Sequence, residues 1–479
     1  WDVEAQGSSD TRSVARFVGF MQDIDLWDAQ TFGIALNEAV QTDPQQRTLL
    51  AYMLRALKHG GESMASVKGC ERGIAVGVCN VEYSGMLTAA NAPLAPYTAL
   101  QGSLSVACGR ISYMFGFSGP CYSIDTACSS SLVGTHLASS MLRQGECESS
   151  TSTGVQTFLI PGPLVVLTIS NMLAADGRCK TLDQSADGYV RAEACGVMEL
   201  QPCGDDTPPA LVLACGSAVN QDGRSSSLTA PNGPSQQAVI RSTVSTSSVP
   251  LEQYVQHEMH GTGTPLGDPI EVGAACAVLL SSKVARGPLA LSAAKIAHGH
   301  AEAGAGVVGC MHALSSLTHR HTSPMTNLRT VNPYVAETLQ VAQLTFVPRQ
   351  DSTMLGTLSA GAAACGISSF AFQGTNAHAL LGACEEQEAS HVMEAQRMNW
   401  SKQSLWLAPR AHPLMGTFQS GGATGKAAVE SAVGGAALSY LWDHRVNGRA
   451  LLPGTGFMEL SAAAARSLLS EAANSSMLA

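Results

Sequence analysis

One cysteine and two histidines are the residues of this chain whose setting could do chemistry. Cys128 lies in the run Ile124-Asp125-Thr126-Ala127-Cys128-Ser129-Ser130-Ser131-Leu132. Before it is a short apolar segment; after it Leu132, Val133, His136, Leu137 and Leu142 recur at helical spacing. Ser129 to Ser131 are candidate capping residues at that helix start. A cysteine there meets unpaired backbone N–H groups and the positive end of the helix dipole, which favour the nucleophilic thiolate. On this window alone a small buried hydrophobe is an equal reading. Two downstream motifs weigh against it. His257-Glu258-Met259-His260 runs into Gly261-Thr262-Gly263-Thr264-Pro265, a turn able to hold a side chain at a loop tip. Lys295-Ile296-Ala297-His298-Gly299-His300 again sets histidine beside glycine, before a helix rich in small residues. One cysteine with two glycine-flanked histidines points to nucleophilic acyl chemistry.

The elements that must position these residues read as alternating strands and helices. Strand-like runs fall at 73–78, 196–200, 211–219 and 366–372. The chain has 479 residues, 45% of them hydrophobic and only 13% charged, ample for a large α/β core. The net charge of −10, without a basic tract, argues against nucleic-acid binding. Fourteen scattered cysteines do not form a disulfide framework and point to a reducing compartment, the cytoplasm. The most apolar window, Phe158 to Ala175, is interrupted by Pro161 and Pro163 and reads as core, with no transmembrane span. His298 and His300 alternate as metal ligands can, but no cysteine or carboxylate cluster accompanies them, so no metal is expected.

Seven runs in order carry a resemblance. They are "TDPQQR" at 42–47, "DTACSSSL" at 125–132, "DGRCKTLDQSADGYVRAEACG" at 176–196, "NQDGRSSSLTAPNGPSQQ" at 220–237, "HGTGTPLGDPIE" at 260–271, "KIAHGHAEAGAG" at 295–306 and "FQGTNAH" at 372–378. Over about 1–382 the chain resembles the ketosynthase domain of modular polyketide synthases, a β-ketoacyl synthase of the thiolase superfamily. The resemblance implies an α/β thiolase fold of two similar halves, about 1–245 and 246–382, in five α-β-α-β-α layers. It implies that Cys128 takes an acyl group from a thioester, and that His260 and His300 assist decarboxylation of a malonyl thioester and hold its enolate. The backbone N–H groups of Cys128 and Phe372 would form the oxyanion hole, and Phe372 the gate between acyl and malonyl pockets. Lys295 and Glu302 would form a supporting buried pair. No cofactor is bound by the chain itself; the substrates ride on the phosphopantetheine of an acyl carrier protein. Further implied partners are a separate or neighbouring acyltransferase and a second copy of the chain, paired through a strand near Pro120 to Ile124. The product belongs to polyketide or fatty acid biosynthesis. The alternative is a non-elongating ketosynthase-like gatekeeper, which generally lacks a catalytic histidine. A degradative thiolase would use a second cysteine instead of the two histidines.

The chain departs from the family at Ala297 and His298, where asparagine and isoleucine are usual, and at Ala301, where threonine is common. His298 is expected to fill the isoleucine's space and to perturb His300. Because the histidines are remote from Cys128 in sequence, His300→Ala is expected to block condensation and spare acylation. The family has a strand and helix ahead of the segment that opens at Trp1. At the other end, 383–404 is charged and irregular and reads as a linker. From 405 to 479, "HPLMG" at 412–416 and the spacing of His444, Gly448 and Pro453 resemble the start of a polyketide dehydratase, a hotdog (α+β) domain. His444 would be its base, and the family's partner aspartate would lie beyond Ala479.

Overall fold

The computed structural model describes residues 17–405 apart from 90–96, 161, 205–209, 282–287, 343–344, 349–352, 355–362, 385–397 and 399, and beyond them 417–419, 428–430, 445–446 and 449–450. The first half runs α1 (Pro44–His59), β1 (Arg72–Val78), α2 (Leu104–Phe115), β2 (Cys121–Ile124), α3 (Ser130–Arg143), β3 (Ser149–Gln156) and β4 (Ala194–Leu200). The second runs β5 (Val212–Gln221), α4 (Gly233–Thr246), β6 (Tyr254–Glu258), α5 (Gly267–Leu279), β7 (Leu289–Ser292), α6 (Ala305–His319), β8 (Thr345–Phe346), β9 (Ala364–Phe370) and β10 (Thr375–Ala383). One sheet is ordered β2-β1-β3-β4, the other β8-β7-β6-β9-β10-β5. In each sheet a later strand runs antiparallel to its neighbour: β4 against β3, and β10 against β9. The order β2-β1-β3-β4 therefore repeats as β7-β6-β9-β10.

α3 and α6 follow the equivalent strands β2 and β7, and they pack on each other and on strands of both sheets. α1 and α2 lie against the first sheet, α4 against the second with α5 beside it, which makes five layers. Interior strands such as β1 are buried throughout and read as a continuous apolar run, as strands covered on both faces do. Backbone meets backbone where the two central helices begin. A Cβ on Gly77 of β1 would stand 2.4 Å from the Ser131 nitrogen, and one on Gly306 of α6 would stand 2.5 Å from the Leu132 nitrogen. Only glycine lets the start of α3 sit this deep. The start of α1 is fixed by Asp43, whose carboxylate accepts from the Gln45 N–H at 2.7 Å, and by Pro44 in the first turn.

Four expectations are corrected. The boundary at about 245 falls too late, because β5 pairs along its length with β10 and α4 packs on that sheet. The strand expected at 366–372 ends at Phe370, and Phe372 stands in the hairpin turn before Thr375. The apolar window is only partly core: Leu164 is buried, but Val166 and Ile169 of the helix Gly162–Ile169 are 62% and 68% exposed. The end of the linker is docked. Gln403–Ser404 pairs antiparallel with Leu26–Trp27, Trp400 stacks on Phe32, and Leu405 is buried with them. Further on, Thr417–Gln419 pairs with Ala428–Glu430, and Arg445–Val446 with Arg449–Ala450. His444, Gly448 and Pro453 lie outside the described residues.

Candidate active site

The duplicated topology brings the separated motifs together. Cys128 sits in the tight turn Ala127–Ser129 between β2 and α3, and His300 between β7 and α6, at equivalent junctions of the two halves. Their atoms meet: His300 Nε2 is 3.0 Å from Cys128 Sγ. His260, in the loop after β6, faces the His300 ring edge to face, with centroids 5.5 Å apart. The hairpin turn between β9 and β10 brings in the Phe372 backbone N–H, which together with that of Cys128 is directed at the sulfur. Ser369 Oγ donates to the Cys128 carbonyl at 2.7 Å and ties the nucleophile turn to β9. The backbone before the cysteine is strained: Ala127 has φ +52°.

Each histidine has its own mount. His260 and Gly261 N–H groups donate to the two Glu271 carboxylate oxygens at 2.5 and 2.9 Å. Gly263 N–H donates to Asp268 at 3.1 Å, and burial pushes the Asp268 carboxyl up to about 7. His300 is held by its backbone, donating to Val190 carbonyl at 2.7 Å and accepting from Ala192 N–H at 2.9 Å. Its Nδ1 accepts from the Glu302 N–H at 3.2 Å. That contact assigns the proton: with Nδ1 an acceptor, the neutral ring carries its hydrogen on Nε2, the atom facing the sulfur. Both rings are held neutral. Burial lowers the pKa of His260 and His300 well below the ordinary histidine value, and the Lys295 charge lowers both further.

Several sequence expectations change here. The thiolate is not the resting form. Burial pushes the Cys128 thiol up to about 12, Glu302 adds to the rise, and Lys295 and the two N–H groups only partly oppose it. The serines do not cap α3 in the expected way: Ser129 Oγ donates to the Thr126 carbonyl, and Ser130 Oγ accepts from the Thr126 N–H. Lys295 and Glu302 are not a pair. Glu302 grips Arg191, with Oε1 2.6 Å from Nε and Oε2 3.0 Å from Nη2, while among the described residues no carboxylate lies at ion-pair distance from Lys295. Lys295 is buried, and burial lowers its pKa. His298 is exposed, so it does not fill a core space. It lines a cavity of about 210 Å³ with Arg178 and Lys295. Phe372 is 52% exposed, which rules out ordinary core packing for its ring. Among the described residues no group of three or more histidine, cysteine or acidic side chains could hold a metal.

The sequence reading missed three kinds of support. Asp268 and Glu271 sit one helical turn apart at the start of α5, just after a glycine-rich loop whose N–H groups need acceptors, a legible signal. Arg191 lies inside the quoted run at 176–196, but nothing local points to its partner. Ser369 has no sequence signal.

Comparison with known proteins gives the family. The sequence matches the family models for the β-ketoacyl synthase N-terminal domain over residues 1–205 and the C-terminal domain over 211–329. The chain belongs to the β-ketoacyl synthase family. Residues 412–478 match the polyketide synthase dehydratase domain. Among solved structures, the ketosynthase from module 6 of the bacillaene synthase of Bacillus subtilis 168 aligns with a TM-score of 0.73 at 30% identity. That alignment covers 81% of this chain and 66% of the other. An oxazolomycin ketosynthase domain of Streptomyces albus JA3453 aligns with a TM-score of 0.71 at 28% identity, covering 76% and 63%. In sequence, the spectinabilin polyketide synthase system protein NorC of Streptomyces orinoci is 39% identical over 77% of this chain and 16% of its own length. A phenolphthiocerol/phthiocerol polyketide synthase polypeptide of Mycobacterium tuberculosis is 36% identical over 80% of this chain and 21% of its own. The chain thus spans about a fifth or less of these relatives. The fold is the thiolase-like one of the ketosynthase neighbours.

Proposed function

We propose that this β-ketoacyl synthase performs decarboxylative condensation of an acyl group on Cys128 with a malonyl thioester carried on phosphopantetheine of an acyl carrier protein. The observation that carries the reading is the approach of His300 Nε2 to Cys128 Sγ at 3.0 Å, with His260 alongside and two backbone N–H groups aimed at the same sulfur. In the first step the sulfur attacks the acyl thioester carbonyl, and the thiol proton leaves with the departing pantetheine sulfur. His300 Nε2–H steadies charge on Cys128, and the Cys128 and Phe372 N–H groups hold the tetrahedral oxyanion. In the second step the malonyl thioester loses carbon dioxide, and the C–C electron pair becomes an enolate. Its oxygen takes hydrogen bonds from the two neutral histidines. The enolate carbon attacks the Cys128 thioester, the C–S bond breaks with its electron pair on the sulfur, which takes a proton from water to return to the thiol, and a β-ketoacyl chain leaves on the carrier.

The exposed Phe372 ring at the hairpin tip acts as the gate beside the cysteine. The assembly is a homodimer through β2, an edge strand whose Tyr122 is 45% exposed and whose free pairing edge a second copy can complete. The acyltransferase that loads the malonyl group is a separate or neighbouring unit, and His444 serves a dehydratase segment of the same biosynthetic system. All fourteen cysteines are free, in keeping with the reducing cytoplasm; no described helix is long and apolar enough to cross a membrane.

The experiment is reconstitution with acyl and malonyl carrier-protein thioesters, read by mass spectrometry of the carrier. A β-ketoacyl carrier from the intact chain, absent in His260→Ala, supports the reading. Acyl transfer without condensation overturns it in favour of a gatekeeper.

A further inference from the structure

The residue after next from His300 is held in a conformation it would not choose. Glu302 has φ +43°, in the left-handed region that side chains other than glycine disfavour. In that conformation its N–H reaches back to His300 Nδ1 at 3.2 Å. Its carboxylate is meanwhile clamped in a two-point fork by Arg191, at 2.6 and 3.0 Å. Arg191 is itself fixed. It is 2% exposed, its guanidinium lies 3.8 Å from the centre of the Phe158 ring, and its backbone is paired on one side with Val18 and on the other with His300. A continuous chain of contacts therefore runs from Phe158 through Arg191 and Glu302 to His300 and ends at Cys128 Sγ.

We propose that Arg191 is a positioning residue, which by gripping Glu302 holds that residue left-handed and so locks His300 as the Nε2–H tautomer facing Cys128. The inference rests on the role given to His300 above and deepens it. Without the fork, Glu302 relaxes to an ordinary negative φ and its N–H swings away. Nδ1 of His300 is then free to carry the proton, and Nε2 presents a lone pair to the sulfur instead of a hydrogen. The same fork sets a positive charge against a carboxylate that otherwise opposes ionisation of Cys128.

Glycine offers a specific rescue, because at position 302 it adopts a positive φ without any clamp. Condensation is measured for the intact chain, Arg191→Gln, and Arg191→Gln combined with Glu302→Gly, each checked for folding by thermal melting. The single variant is expected to lose about 10²-fold or more, the scale of one lost transition-state donor. The double variant is expected to recover to within about tenfold of the parent, since it removes both buried charges and keeps the left-handed turn. ¹⁵N shifts of the labelled His300 ring should show the Nε2–H form in the parent and double variant and its loss in the single one. If Arg191→Gln does not fold, Arg191→Lys replaces it, with and without Glu302→Gly. A double variant no better than the single one, or an unchanged tautomer in the single one, overturns the proposal. If His300→Ala condenses normally, the reading of the site itself is at fault; if His300→Ala is inactive while Arg191→Gln is normal, only the clamp is wrong.

Discussion

The raised pKa of the half-buried Cys128 thiol makes a quantitative prediction about how it reacts with a small alkylating agent as pH rises. With the Cys128 thiol pushed up to about 12, its thiolate fraction at pH 7 is about 10⁻⁵. An ordinary exposed thiol titrating near 8.5 is about 3% ionised at that pH, a difference of about 3,000-fold. A more basic thiolate is also a better nucleophile. With a Brønsted coefficient of about 0.4–0.5 the difference in pKa returns about 30-fold, so a net deficit of about 100-fold remains. The rate at Cys128 should then climb about tenfold per pH unit from 7 to 10, where an ordinary thiol levels off near pH 9. Neutral His260 and His300 add no inflection between pH 6.5 and 8, because burial and the Lys295 charge hold both well below 6.5. The assay is iodoacetamide labelling at a series of pH values with peptide mapping, using exposed Cys203, away from the β2 edge, as internal reference. A rate at Cys128 that is flat below pH 8, or faster than that at Cys203 at pH 7, would refute the reasoning and restore the resting thiolate.

Other expected outcomes follow from the same contacts. The expectation from sequence distance that His300→Ala spares acylation is overturned: the variant should slow acylation as well as condensation, each by about 10²–10³, because Nε2 touches the sulfur; acylation at the parent rate contradicts this. His260→Ala should lose condensation by about 10²–10⁴ while acylation stays within a few fold, since among the described residues it is the His300 ring and not that of His260 that is at hydrogen-bond distance from the sulfur; equal loss in both half reactions speaks against the split. Gly77→Ala should lower stability by about 1–3 kcal/mol in thermal or urea unfolding, because its Cβ meets the Ser131 nitrogen; an unchanged midpoint contradicts the packing. His312 pairs with buried Glu258 at 2.7 Å, and that carboxylate raises the His312 pKa. A raised folded value means that the stabilisation is complete below about pH 6.5 and is lost as pH rises through the folded value. His312→Gln should thus destabilise more at pH 6 than at pH 9 by urea unfolding; an equal effect at both contradicts the pairing.

The reacting groups are legible because their settings are local. A helix start after an apolar strand marks Cys128, and glycine turns mark His260 and His300. Strands β1, β4 and β5 are readable for the same reason. β3 is not. Ser149–Gln156 is nearly all small and polar, yet it is buried, because its hydroxyls bond outward: Ser150 to the Ala138 carbonyl, Ser152 to Thr135, and Thr153 to the Gly196 carbonyl. Hydrophobic periodicity has no purchase on such a strand. The supports are hidden by distance in sequence. Glu302 and Arg191 are 111 residues apart, and choosing between Arg191 and nearby Lys295 as the partner needs the parallel pairing of Arg191 with His300. The resting state of Cys128 escapes the sequence because a helix start is visible there and desolvation is not; desolvation outweighs the Lys295 charge and the two backbone N–H groups here.

The central claim is that Cys128 carries the acyl group and surrenders it to a malonyl-derived enolate. It is tested most directly by trapping the acyl-enzyme and chasing it. The intact chain is incubated with an acyl thioester, digested and mapped by mass spectrometry, before and after addition of malonyl carrier protein. The account predicts one acyl adduct, on the peptide containing Cys128, which disappears as β-ketoacyl carrier forms in equal amount. An adduct chiefly on Cys121, Cys108 or Cys365, or a Cys128 adduct that malonyl carrier protein does not discharge, would contradict it.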